Sequence, residues 1–178
     1  MKEITLHNKT FEVSITDTKI ASIVETIANN INATKIKDPL FIAVMNGAFL
    51  FAADVMRNIT IPNAEISFIK LASYSGTQTT GEVSELIGIS QNIKGRNVII
   101  LEDIIDSGIT LKKIMTLLEK EEVADVKVAT LLFKPKAYTK KINIDFIGSS
   151  IPNDFVVGYG LDYDEIGRNL PHIYKLKE

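Results

Sequence analysis

The stretch VIILEDIIDSGIT, Val98 to Thr110, decides how the rest of the chain is read. Val98 to Leu101 are apolar at every position, so an extended segment there needs cover on both faces, as a central parallel strand has between two layers of helices. The run then meets Glu102 and Asp103, and after two isoleucines Asp106, followed by Ser107, Gly108, Ile109 and Thr110. Charges beside an apolar run are costly unless something compensates them. Leu111, Ile114, Met115 and Leu118 continue at helical spacing, which predicts a helix from about Gly108 to Glu122. A strand that turns tightly into a helix leaves backbone N–H groups free at the positive end of the helix dipole. Gly108 allows close approach to that backbone, and Ser107 and Thr110 add hydroxyls, so the turn reads as a phosphate cradle. The plainer alternative is that Ser107 only caps the helix.

The acids, expected at the carboxyl end of the strand, narrow the choice. Carboxylates beside an anion site repel the anion unless a cation or hydroxyl groups mediate. A sugar phosphate resolves this, because carboxylates accept hydrogen bonds from ribose hydroxyls or hold Mg²⁺ through water while the cradle takes the phosphate. No GxxxxGK[ST] sequence occurs, so a triphosphate wrapped around a lysine is not expected.

Outward from this stretch, strands and helices alternate. Ile20, Ile23, Val24, Ile27 and Ile31 predict an amphipathic helix over about 17–32, and FIAVM (41–45) reads as a buried strand leading into a helix over Phe49 to Asn58. EISFIKLASY (65–74) is an alternating, β-branched strand. VKVATLLF (126–133) is a doubly buried strand, and FIG (146–148) and FVVGY (155–159) are shorter ones. This order predicts an α/β protein with a parallel central sheet flanked by helices, whose ligand lies beyond the carboxyl ends of the strands.

Composition fits one domain of 178 residues. The chain is 46% hydrophobic, has a formal charge of −2, and gives no bulk electrostatic reason to bind nucleic acid or a membrane surface. The apolar segment Leu40 to Ala53 is shorter than the roughly 20 residues of a membrane-spanning helix and is broken at Asn46-Gly47. The N-terminal MKEITLHNKTFEV lacks the apolar run of a signal peptide, and a chain without cysteine suits a reducing cytoplasm. GYGLDY has Tyr163 where a dinucleotide fingerprint needs its third glycine, and His7 and His172 are too isolated to suggest zinc.

VIILEDIIDSGIT resembles the 5-phosphoribosyl-1-pyrophosphate (PRPP) motif of type I phosphoribosyltransferases. AVMNGAFLFAADV, LASYSGTQTTGEV, LLFKPKAY and DFVVGYGLDYDE extend the resemblance over nearly the whole chain, toward the 6-oxopurine (hypoxanthine) branch. It implies a type I phosphoribosyltransferase fold with a small hood subdomain formed from N- and C-terminal segments of a single domain. It also implies Mg²⁺-dependent transfer of phosphoribose from PRPP to hypoxanthine or guanine, and a homodimer or homotetramer. Glu102 and Asp103 would contact ribose hydroxyls and help place Mg²⁺, Asp106 would act as general base near the purine N7, and Ser107 to Thr110 would hold the 5′-phosphate. Asn46 and Gly47 would form the pyrophosphate loop, with a cis peptide between Met45 and Asn46. Some members carry lysine where this chain has Asn46, which leaves pyrophosphate more dependent on backbone N–H groups and Mg²⁺. Ser73 and Tyr74 would close as a lid, with Gly76 and Gly81 as hinges, and Arg168 would meet pyrophosphate. Lys134 would donate to the purine 6-oxo group, Phe155 would stack on the base, the Val156 backbone would pair with its edge, and Asp162 would orient Mg²⁺ through water.

Overall fold

The structure, a computed structural model, describes residues 3–71, 85–87, 89 and 92–177. Strands β1 (Glu3–Leu6) and β2 (Lys9–Ile15) form an antiparallel hairpin. Helix α1 (Asp17–Ala33) starts where the Thr16 hydroxyl accepts the Lys19 N–H at 3.3 Å, and it buries Ile20, Ile23, Val24, Ile27 and Ile31 along one stripe. Strand β3 (Leu40–Val44) is buried at every position, and helix α2 (Phe49–Asn58) buries Phe51, Ala52 and Val55. Then come β4 (Glu65–Leu71), β5 (Glu85–Ile87), β6 (Asn97–Ile105), helix α3 (Ile109–Lys120), β7 (Asp125–Phe133), β8 (Phe146–Ser150), β9 (Val156–Val157) and β10 (Ile173–Leu176).

The larger sheet has the order β5-β4-β3-β6-β7-β8, parallel from β4 through β8, with β5 antiparallel along the end of β4. Strands β3, β6 and β7 are largely apolar on both faces for the reason the sequence suggests. Phe41, Ala43, Ile99, Leu101, Ala129 and Leu131 pack under α1 and α2, while Leu40, Ile42, Val98, Ile100 and Val128 pack with Leu111, Ile114 and Leu118 of α3. Among the described residues, no helix is long and apolar enough to cross a membrane.

Two features position the site. From β3 the chain moves to β4 on one side, and β6 lies on the other, so the strand order reverses at the β3/β6 boundary. Open α/β sheets bind ligands at such a crevice. In addition, β3 pairs with β6 only from Leu40↔Val98 to Ala43↔Leu101, whereas β7 follows β6 out to Ile105↔Phe133. Residues 102–105 therefore have a strand neighbour on the β7 side and an opening on the β3 side. Glu102 and Asp103 lie within β6 rather than at its end, because β7 is long enough to keep pairing past them.

The segment FVVGY departs from expectation. Only Val156 and Val157 are extended, and they join a separate antiparallel sheet of order β1-β2-β10-β9. The backbone at Gly158 and Tyr159 takes positive φ (96° and 49°), which turns the chain away after two residues. Phe11, Val157 and Tyr174 form the buried centre of this small sheet, whose strands come from both ends of the chain. His172 is structural, since its Nδ1 accepts the Asp17 N–H at 2.9 Å and ties β10 to the start of α1.

Candidate active site

Beyond the β3/β6 boundary lies a cavity of about 310 Å³, lined by Met45, Gly47, Leu71, Glu102, Asp103, Thr110 and Lys113 among others. The Met45–Asn46 peptide that leads into it is cis. Gly47 packs directly on Asp103, and a Cβ at that position would fall on the Asp103 carboxylate. The loop after β3 and the acids of β6 thus share one surface, although they lie far apart in sequence.

Both acids are pushed toward the neutral form. Glu102 is 4% exposed, and burial, aided by the Asp103 charge, raises its pKa to about 8. Burial raises Asp103 to about 6 against the opposing pull of the Ile104 and Asp103 backbone N–H groups and of Arg168, with Asp162 adding to the rise. Two neighbouring carboxylates that resist ionisation this strongly favour a cation or a hydrogen-bond donor brought in by a ligand.

The turn after β6 places a glycine at the head of α3. The N-cap position of α3 is Gly108, at φ 76°, so Ser107 stands one residue before the cap. No acidic residue occupies the first helical turn, so the N–H groups and dipole face an uncontested end. Gly108 is needed for its positive φ and because Tyr138 packs where a Cβ would stand. The loop is held from behind, with the Thr139 N–H and hydroxyl reaching the Ser107 carbonyl at 3.4 and 3.3 Å and the Tyr138 hydroxyl donating to the Ile142 carbonyl at 2.7 Å.

Asp106 stands just before this turn, and Lys134 stands just past the end of β7. The Lys134 Nζ donates to Asp106 Oδ2 at 3.0 Å, and the lysine is buried. Phe155 is 43% exposed and sits edge-on to Tyr163, with Phe11 behind it and the Lys9 ammonium 5.8 Å from its ring centre. Val156 is buried in β9, paired with Lys175. Arg168 Nη2 pairs with Asp162 Oδ1 at 2.8 Å and Nη1 donates to the Gly160 carbonyl at 2.9 Å, while the other Asp162 oxygen accepts the Glu165 N–H at 2.8 Å.

The structure thus brings Gly47, Glu102, Asp103 and Thr110 to one cavity beside Asn46. It sets Arg168 and Asp162 within electrostatic reach of Asp103 and joins Lys134 to Asp106. Ser73 and Tyr74, with Gly76 and Gly81, lie outside the described residues. Lys113 is a cavity residue that the sequence reading missed. Its only signal is its place one helical turn after Thr110 on α3.

An open helix end and paired acids meet at the switch point of a parallel sheet, where open α/β proteins bind their ligands. Residues 14–164 match the phosphoribosyl transferase domain model, and the chain belongs to that family. It is 44% identical over 143 residues to a hypoxanthine-guanine phosphoribosyltransferase of Streptococcus pyogenes, covering 80% of this chain and 79% of the relative. A Streptococcus pneumoniae enzyme of the same name is 43% identical over the same span. Among solved structures, a Bacillus anthracis hypoxanthine-guanine phosphoribosyltransferase superposes with a TM-score of 0.86 at 38% identity, covering 93% of this chain and 98% of that one. A Staphylococcus aureus hypoxanthine phosphoribosyltransferase superposes with a TM-score of 0.86 at 36% identity, covering 93% and 91%.

Proposed function

We propose that this enzyme transfers the 5-phosphoribosyl group from PRPP to hypoxanthine and guanine, releasing pyrophosphate and forming the nucleoside monophosphates. The observation that carries the base assignment is the Lys134–Asp106 pair, a donor and an acceptor 3.0 Å apart beside the phosphate turn. The N7–O6 edge of a 6-oxopurine presents the complementary order, a proton-bearing nitrogen beside an acceptor oxygen. Lysine can only donate, so an adenine 6-amino group would leave the buried ammonium facing another donor.

In this reading, N9 of the purine attacks C1′ as the bond from C1′ to the pyrophosphate oxygen breaks, and the N7 proton passes to Asp106. The Glu102 and Asp103 carboxylates stabilise the positive charge that develops on the ribose. The α3 N-terminus with Ser107 to Thr110 anchors the 5′-phosphate, while Phe155 and the Val156 backbone bound the base. Arg168 and the Asn46-Gly47 backbone face pyrophosphate, and Ser73 and Tyr74 close over it.

Among the described residues, no cluster of three or more acids, histidines or cysteines could enclose a metal ion by itself. Mg²⁺ binds through one or two carboxylates plus substrate oxygens and water. Glu102 and Asp103, both held toward the neutral form by burial, would hold it, with Asp162 acting through water because both its oxygens are already engaged. When bound, the ion neutralises the leaving group.

We assign the reaction to the cytoplasm, in keeping with a chain that has no cysteine. We also assign a homodimer or homotetramer. Phe49, Ile66 and Phe68 are 37–41% exposed, and the two β4 residues share the sheet face that α2 leaves partly uncovered. Sedimentation of the purified chain as a monomer would overturn the oligomer. Pyrophosphate release with PRPP and Mg²⁺ against hypoxanthine, guanine, xanthine, adenine and uracil tests the whole proposal. Turnover should occur with hypoxanthine and guanine and be lost with adenine and uracil, and release with none of the bases would refute it.

A further inference from the structure

Within the site, three cations approach the place where the anionic substrate would lie, and two are already committed. Lys134 is bound to Asp106 at 3.0 Å, and Arg168 to Asp162 at 2.8 Å. Lys113 lines the cavity together with Glu102, Asp103 and Thr110, and it makes no ion pair among the described residues. It follows Thr110 by three residues on α3, which puts both on the same helix face toward the cavity. The loop after β3 contributes Met45 and Gly47 to the lining, and neither brings a charge.

We infer that Lys113 is a PRPP-positioning residue. Its ammonium supplies the mobile positive charge that offsets substrate phosphate oxygens within a cavity otherwise floored by two carboxylates. The inference rests on the PRPP reading of the cavity and adds a residue to it. Lys112, its neighbour, is exposed and does not line the cavity, so it serves as an internal control of equal charge.

Initial rates with hypoxanthine, PRPP and Mg²⁺ test it in the wild type and in K113M, K113R and K112M. K113M should raise KM for PRPP by about 5–20-fold, as loss of one partly solvated charge-assisted contact does, while kcat and KM for hypoxanthine stay within about twofold. The KM of K113M for PRPP should also lose much of its dependence on salt. K113R should restore most of the PRPP affinity, and K112M should match the wild type. Should K113M not fold, K113Q provides the same measurement. A working wild type with an unchanged KM for PRPP in K113M or K113Q overturns the role of Lys113 and leaves the site intact. A folded wild type that turns over no base overturns instead the reading on which the inference rests.

Discussion

Replacing Glu102 by Gln isolates the energetic cost of placing the carboxylate pair inside β6. The glutamate is 4% exposed, and burial first, then the Asp103 charge, lifts its pKa from an ordinary 4.5 to about 8. Between those two values the folded chain keeps a proton that the unfolded chain has already released. Stability therefore falls as pH rises through this window and levels off above it. The rise is worth on the order of 5 kcal/mol once the group is ionised. Glutamine keeps the shape and never takes the charge, so it escapes that loss. The two proteins should unfold alike near pH 3, below both pKa values, where Glu102 is protonated in both states. By about pH 8.5 the variant should melt higher by roughly 10–20 °C, at 2–4 °C per kcal/mol for a chain of this size. The assay is thermal unfolding by circular dichroism across pH, without substrate and with a chelator present. Effects common to both proteins cancel in the difference, which is what makes its sign decisive. Melting curves that run parallel at all pH values would refute the assignment of a buried, uncompensated carboxylate. So would a variant that is less stable at high pH. Mg²⁺ with PRPP should narrow the gap by stabilising the wild type more than the variant, since only the wild type has the charge to be neutralised.

Two further outcomes follow from the geometry. Gly47→Ala should lower kcat/KM for PRPP by about 10²-fold, because the new methyl falls on Asp103 and displaces its carboxylate. Steady-state kinetics check this, and a wild-type kcat/KM would show that the contact is not needed. Lys134→Met should cut kcat/KM for hypoxanthine by at least about 10²-fold and raise adenine relative to it, since the discriminating donor is gone. Competition between the two bases reads the ratio directly, and an unchanged ratio would remove Lys134 from base selection.

The core strands were legible because their reason for being apolar is local. FIAV and VIIL have no polar position, VATLL has only Thr130, whose hydroxyl donates to the Leu132 carbonyl, and cover on both faces explains such runs. The small sheet was less legible. EITL, KTFEVSI and IYKL alternate with charges, and their pairing depends on β2 meeting β10 from the other end of the chain. FVVGY reads as a short strand over its full length because its apolar run is locally equivalent to one, while positive φ at Gly158 and Tyr159 ends it after Val157. In the site, the acids and the glycine turn announced themselves as charge and flexibility at the end of an apolar run. The contact of Gly47 with Asp103 and the pairing of Lys134 with Asp106 follow from the reversal of strand order and the length of β7, which no short window contains. Lys113 was invisible for a different reason. A lysine on an exposed helix position looks the same whether it faces solvent or a substrate.

Chromatographic detection of inosine monophosphate from hypoxanthine, PRPP and Mg²⁺, run side by side for the wild type and Asp106→Asn, tests the central claim most directly. The wild type should form the nucleotide together with pyrophosphate. The variant should turn over about 10²-fold or more slowly while its KM for PRPP stays close to that of the wild type. Nucleotide formation at equal rates would remove Asp106 from the chemistry, and its absence in the wild type would contradict the account as a whole.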